Sequence, residues 1–488
     1  SMEFESMKST ERRVFSFFEK VCASPRGSFH EEKIAAFLCE FAQKHGLFYR
    51  TDKLHNVLIK KPASPGYENE PTVMLQGHTD MVCEKTSQST HDFEKEGIVP
   101  ILQDGFVHAD GTTLGADNGI AVAMMLSILE DDSLCHGPLE CLFTVQEEVG
   151  LTGAAEFDYS DCRASLLYNL DSEDEGVATI SCAGGVRCDM ALPIRRESAK
   201  GWCFFELSAD GFAGGHSGTD IDLGRVNAIR TLGCLLSHAR RSTELRLASI
   251  DGGAMDNAIP RACRAVVAVK LNEKETFEKI FRTQCAARRS SFSAADADAE
   301  FRLRGIEPCA DAMCRKSSDA LLAAITSVPN GVLRRTHGTE KSQLETSANL
   351  GIVRTERDTA LLTVSVRSSV DARRGDVTAV LQMLATALGA SLTLRGEYPG
   401  WPSREHSKSR ERYTAAYRAL WGKEPRIEAI HAGLECGVIQ HKMPGIDPIS
   451  IGPDMQHVHT PAERVNVASV GRVYDTLIKM LAIKDETK

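Results

Sequence analysis

Apolar positions recur every three to four residues in two opening stretches of the chain. In Glu11–Ala23, Val14, Phe17, Phe18 and Val21 share one face, with Ser9 and Thr10 available as caps, which predicts an amphipathic helix. In Glu31–His45, Ile34, Phe37, Leu38 and Phe41 repeat the pattern and Gly46 ends it. Strand-like runs follow at His55–Lys60 and Thr72–Gln76, and Asp104-Gly105 and Asp110-Gly111 read as turns around a short hairpin. Asn118–Asp131 is apolar enough to predict a buried helix, and Leu139–Val145 and Ala164–Leu170 predict further strands. Strands alternating with helices predict an α/β domain.

The pattern changes near Gly184-Gly185. From there to about Glu397, strands at Trp202–Ala209, Ala265–Leu271 and Ala360–Arg367 bracket helices at Gly224–Arg240 and Ser317–Ser327. Cys263–Asn272 and Thr359–Ser368 echo one another, which suggests an internal duplication of an α+β unit. Glu397-Tyr398-Pro399-Gly400-Trp401-Pro402 carries a linker signal. The α/β pattern then resumes with a helix before Gly422, a strand at Ile427–Ile430, a helix from Gly433, a strand at Pro448–Ile451 and a closing helix at Val467–Ile483. The expected architecture is a discontinuous α/β catalytic domain, residues 1–185 and 399–488, with a mixed sheet flanked by helices. An α+β lid domain, residues 186–398, is inserted between the two parts.

Composition narrows the function. The 488 residues include 57 Lys+Arg and 67 Asp+Glu, a formal charge of −10, with 42% hydrophobic and 25% charged residues. That is a globular balance with no basic excess to hold nucleic acid or an anionic membrane. The longest near-apolar run, Gly119–Leu129, is far short of the ~20 residues that span a bilayer. The 15 cysteines form no Cys-x-x-Cys pair, which predicts free thiols in a reducing compartment. The opening SMEFESMKSTERR lacks an apolar segment, so no signal peptide is expected, and its first Ser-Met suits a cloning remnant. The expected location is cytoplasmic.

The informative pattern is where acids and histidines fall. Thr72–Gln76 runs into Gly77-His78-Thr79-Asp80, and Leu139–Val145 runs into Gln146-Glu147-Glu148. Ala164–Leu170 ends in Asp171, and Pro448–Ile451 leads towards His457 and His459. Asp117 opens the buried helix. In an open α/β sheet, sites form at the carboxyl ends of strands. Taken singly, each feature reads as a solvated loop or a charged helix start. Together they supply two imidazoles, several carboxylates and no thiolate, an inventory suited to Zn²⁺ or Mn²⁺ held for hydrolysis.

Three runs make a resemblance explicit: Leu75-Gln76-Gly77-His78-Thr79-Asp80-Met81-Val82, Thr112-Thr113-Leu114-Gly115-Ala116-Asp117-Asn118-Gly119 and Glu147-Glu148-Val149-Gly150-Leu151-Thr152-Gly153-Ala154. Gly215-His216-Ser217-Gly218, Asp256-Asn257-Ala258-Ile259-Pro260, His431-Ala432-Gly433-Leu434-Glu435-Cys436-Gly437 and His459-Thr460-Pro461-Ala462-Glu463-Arg464 extend it over nearly the whole chain. The sequence resembles the aminoacyl-histidine (Xaa-His) dipeptidases, or bacterial carnosinases, within the larger clan of two-zinc exopeptidases.

The resemblance implies a metal-dependent dipeptidase acting on Xaa-His peptides, with two Zn²⁺ (Mn²⁺ or Co²⁺ as substitutes) activating a water. Asp117 bridges the metals, His78 and Asp171 complete one site, and Glu148 and His459 complete the other. Asp80 orients His78, and Glu147 is the general base. His216 stabilises the oxyanion, and Asn257 and Arg367 hold the substrate carboxylate. Smaller relatives carry an Asp-x-Arg pattern where this chain has Val267-Ala268-Val269-Lys270, so Arg367 in the second lid copy is the expected substitute. Gly433 lets the backbone approach the substrate closely. A cis peptide is implied at Asp117–Asn118. The roles of His457, His431 and Glu435 stay open. The expected partner is a short peptide, with no nucleic acid or membrane, and a homodimer is possible. Competing readings are a broad-specificity dipeptidase or tripeptidase, an N-acyl amino acid deacylase, and a catalytically silent metal-binding scaffold.

Overall fold

The structure, a computed structural model, describes residues 2–336 and 343–486. It divides into two compact units. One comprises the residues up to Cys182, Trp401–Ala429 and the residues from Leu434 onward; the other comprises Ala183–Gly400 and Ile430–Gly433.

The first unit is built on an eight-stranded mixed sheet. Its centre is four parallel strands in the order Leu139–Thr144, Val73–His78, Leu166–Asn169 and Asp447–Ser450. All four are buried along their whole length, as parallel strands covered by helices on both faces must be. Antiparallel strands, including Phe48–Thr51 and Val57–Lys61, extend the edges. The helices Ser9–Ala23, Ala116–Glu130 and Val467–Ala482 share one apolar core with them. The sequence pattern located these helices well, the middle one as a continuous apolar run, but Ser9 and Thr10 lie inside the first turn of Ser9–Ala23 instead of capping it. The Glu11 carboxylate takes the Lys8 N–H there (3.1 Å). The hairpin turns at Asp104-Gly105, both in the left-handed region.

The second unit is a nine-stranded antiparallel sheet. One half holds Glu300–Ile306, Trp202–Asp210, Cys263–Lys270 and Arg246–Gly252, with helices Ala228–Arg240 and Lys274–Arg289. The other holds Gly331–Thr336, Gln343–Thr355, Thr359–Ser368, Gly184–Pro193 and Ser391–Tyr398, with helices Arg315–Ser327 and Asp371–Leu388. The halves meet where Gly252 pairs with Val353. Two helices per half is an arrangement compatible with an internal duplication.

The unit boundaries fall at Cys182/Ala183 and Gly400/Trp401. Residues 430–433, which the sequence pattern left in the C-terminal catalytic part, belong to the second unit. They are held there by Ala183 N–H donating to Ala432 O (3.2 Å) and by His431 Nε2 against Ser347 Oγ (2.7 Å). The expected linker is also no loose tether: Trp401 is fully buried and exchanges backbone hydrogen bonds with Cys182.

Candidate active site

The carboxyl ends of the four central strands converge. His78 is the last residue of its strand and has no exposed surface. Its Nε2 lies 3.1 Å from Asp117 Oδ1 and 3.5 Å from both Asp171 Oδ1 and Glu147 Oε2. Its Nδ1 faces Asp80, 2.9 Å from the backbone oxygen and 3.2 Å from Oδ1. Asp117 turns its other oxygen to His459, with Oδ2 2.9 Å from Nε2, and the same nitrogen lies 3.0 Å from Glu148 Oε1. His457, by contrast, is exposed.

Local structure explains why these atoms meet. The peptide Asp117–Asn118 is cis, and both residues have non-helical dihedrals at the start of the buried helix. Asn118 Oδ1 accepts the His78 N–H (2.9 Å) while its Nδ2 donates to Leu170 O (2.9 Å). One side chain thereby couples the strand that ends in His78 to the strand that leads into Asp171. A Cβ at Gly77 would sit 2.7 Å from Asn118 Oδ1 and from Ala121 Cβ, so the close approach requires glycine. Asp80 does more than orient His78. Its carboxylate also accepts the N–H groups of Glu147 (3.1 Å) and Glu148 (3.2 Å) and the Ser28 hydroxyl (2.7 Å). Glu31 accepts the Gln146 N–H (2.8 Å), so two buried carboxylates fix the turn that presents both glutamates.

Sequence reasoning gave no role to several of these supports. Glu463 is buried and accepts N–H groups from Leu114 (2.8 Å), Gly115 (2.8 Å) and Asp117 (3.2 Å). Its place in the His459–Arg464 run was the available signal. Arg26 is also buried and donates to Thr79 O and Gly115 O, with nothing in its own neighbourhood of the sequence to mark it. Glu435 is buried as well, accepting from Gln76 Nε2 (2.9 Å) and Thr144 Oγ1 (2.5 Å).

Three donor groups have ligand atoms within 4.8 Å of one another: His78, Asp117 and Asp171; Asp117, Glu148 and His459; and His78, Glu147 and Glu148. The first two share Asp117. Glu148 belongs to the group with His459, and Glu147 does not. The charge balance fits a cation. Burial alone would lower His78, but Asp171 and Glu147 outweigh it and hold its pKa well above the ordinary range. Burial pushes Glu147 well up, and Asp171 and Glu148 add to the push. Asp171 is likewise raised by burial and by Asp117. Crowded buried carboxylates with imidazoles and no thiolate form a hard donor set for divalent ions.

The remaining expected residues lie in the second unit. The two-residue strand Gly215–His216 pairs with Ala258–Ile259, next to Asn257. His216 Nδ1 accepts N–H groups from Gly218 (3.0 Å) and Thr219 (3.1 Å). Burial and Arg367 lower its pKa, so the neutral ring carries its proton on Nε2. Arg367 donates to Ser217 Oγ (3.1 Å) and reaches Tyr398 OH (3.4 Å). Its Nε is buried without a partner, and among the described residues no carboxylate pairs with it. Asn257 accepts the Ser217 N–H through its backbone oxygen (2.9 Å). A Cβ at Gly433 would lie 2.7 Å from the Tyr398 ring.

Comparison with known proteins adds lineage to this geometry. Residues 74–482 match the profile of Peptidase family M20/M25/M40. The chain is 35% identical over 469 residues to the cytosol non-specific dipeptidase of Escherichia coli K12, covering 96% of each chain. It is similar to the solved aminoacylhistidine dipeptidase of Vibrio alginolyticus, with 34% identity and a TM-score of 0.94 over 100% of this chain and 99% of that one. Aminopeptidase PepT of Bacillus cereus shares the fold at 16% identity, with a TM-score of 0.57 over 97% and 98% of the two chains.

Proposed function

The chain belongs to peptidase family M20/M25/M40, and from that premise we propose that it is a cytosolic metallopeptidase hydrolysing Xaa-His dipeptides at a two-zinc centre. One observation carries the proposal: Asp117 offers one oxygen to His78 (3.1 Å) and the other to His459 (2.9 Å), so a single carboxylate joins two donor groups. His78, Asp117 and Asp171 would hold one ion, and Asp117, Glu148 and His459 the other. When bound, the two ions polarise the scissile carbonyl and lower the pKa of a water to near neutrality.

The chain's own residues supply the rest. Glu147, which is not in the His459 group, takes the proton of the attacking water and returns it to the leaving amine, so it must be near the donors without being consumed by them. Asp80 keeps the Nδ1 proton of His78 directed at itself, which leaves Nε2 as the lone-pair donor. His216, with Nδ1 occupied by backbone N–H groups, presents an Nε2–H suited to the developing oxyanion. Arg367 has a guanidinium with no carboxylate partner among the described residues, suited to the substrate carboxylate, with Asn257 as a second polar contact.

A second reading, a dipeptidase without preference for histidine, is favoured by the name of the Escherichia coli relative at 35% identity. Steady-state assays of the zinc-loaded protein separate the two. The proposal expects carnosine or another Xaa-His dipeptide to exceed a matched non-histidine dipeptide about tenfold or more in kcat/KM, with tripeptides poor. Equal rates on all dipeptides would establish the second reading. Absence of hydrolysis would overturn both.

A further inference from the structure

The first unit contains a cavity of about 390 Å³ whose wall includes Glu148. Most of the remaining wall is apolar, with Phe29, Met81, Val82, Phe93 and Val149, and His30 and Glu94 add polar groups. We propose that this cavity receives the side chain of the first residue of the dipeptide, and that it selects apolar side chains such as those of Leu, Met and Phe. The inference rests on the dipeptidase reading and adds the preference at the amino-terminal position.

Three observations support it. The first is continuity with the donor groups. Glu148 lines the cavity and also lies 3.0 Å from His459. Met81 and Val149 each follow a site residue directly in the chain. The wall segments are anchored to that site by Ser28 Oγ donating to Asp80 (2.7 Å), Met81 N–H to Arg26 O (3.0 Å) and Glu148 N–H to Asp80 (3.2 Å). The carbonyl attacked in a dipeptide belongs to its first residue, and the Cβ of that residue is covalently next but one to it. A side-chain cavity bordering a ligand of the centre is therefore placed for residue one and not for the terminal carboxylate.

The second is Phe29. Its backbone is left-handed at φ 72, and its side chain stands 64% exposed. A bulky aromatic at positive φ is unfavourable, and an exposed ring returns little folding free energy. Val149 is exposed as well. Apolar surface kept open beside a catalytic centre suits a ligand. The third is the distribution of polarity: His30 and Glu94 stand 3.6 Å apart with both side chains exposed, and the lining contains no Lys or Arg to receive an acidic side chain.

The test is a kcat/KM series on the metal-loaded full chain with Gly-His, β-Ala-His, Leu-His and Phe-His. The parent is expected to prefer Leu-His and Phe-His over Gly-His about tenfold or more. Phe29→Ala removes a wall and Val82→Phe fills the space, and each should move the Leu-His/Gly-His ratio several-fold toward unity. A structural defect would lower both substrates together and leave the ratio fixed. A parent without that preference, or variants with an unmoved ratio, would overturn the cavity assignment while leaving dipeptidase activity standing. A parent that hydrolyses none of the four would overturn the dipeptidase reading and this inference with it.

Discussion

The backbone N–H of Asp117 donates to Glu463 Oε2 at 3.2 Å, across a sequence separation of 346 residues. The same carboxylate holds the N–H groups of Leu114 and Gly115, so the C-terminal part of the chain fixes the loop that carries Asp117. Glu463→Ala would leave three buried donors without their acceptor. The expected loss is about 1–3 kcal/mol of stability together with weaker metal binding. Denaturant titration of the metal-free protein and competition titration with a zinc chelator read the two effects separately. Unchanged metal affinity would show that the clip serves stability alone.

The neighbouring glutamates should separate in metal content. Glu147→Gln is expected to bind metal near normally while turnover falls by roughly 10² or more, the scale of a lost general base. Glu148→Ala removes a donor from the His459 group and should lose about one metal equivalent, read by elemental analysis after dialysis. Metal contents in the opposite order would exchange the two roles.

Arg367 should read the substrate's terminal carboxylate. Arg367→Ala is expected to cost several kcal/mol in kcat/KM on dipeptides, on the order of a broken buried charge pair. A C-terminally amidated dipeptide should be a poor substrate for the parent and almost insensitive to the substitution. Equal losses on free and amidated substrates would make Arg367 structural.

His431 should make the second unit acid-sensitive. Burial and the nearby Arg367 push its pKa down to about 4 from an ordinary 6.5. Between those values the unfolded chain binds a proton that the native ring refuses, so stability falls as pH drops from about 6.5 towards 4 and the penalty is complete below that. The contribution is on the order of 3 kcal/mol. Denaturant unfolding at pH 7 and pH 4.5 measures it, and His431→Gln should flatten the difference relative to the parent. Glu31, raised to about 7 by burial and Asp80, acts with the opposite sign, so only the comparison with the variant isolates His431.

Much was legible in the chain because it is local. The 3.6-residue period placed Ser9–Ala23, Glu32–Lys44 and Val467–Ala482 within a few residues. Continuous apolar runs marked the central strands, and the polar residue just past each run marked where chemistry gathers. The polar and half-exposed elements were harder. Lys274–Arg289 carries Arg and Lys around a narrow Phe277, Phe281 and Cys285 stripe, and Ser391–Tyr398 is largely exposed. The first keeps the helical period but is strongly polar overall, and the second buries too little to show an alternation.

The α/β alternation, the chemical inventory of carboxylates and imidazoles, and the strand ends at which they stand are all readable from the order of residues alone. Which atoms meet depends on the folded chain. Asp117 touches His78 and His459 from opposite oxygens, Glu463 and Arg26 secure the loop from distant segments, and residues 430–433 join the second unit. The physical reason is that periodicity and propensity act over a few residues. A buried hydrogen bond depends on distance in space, and contacts between positions hundreds of residues apart leave no mark in the local pattern of either one.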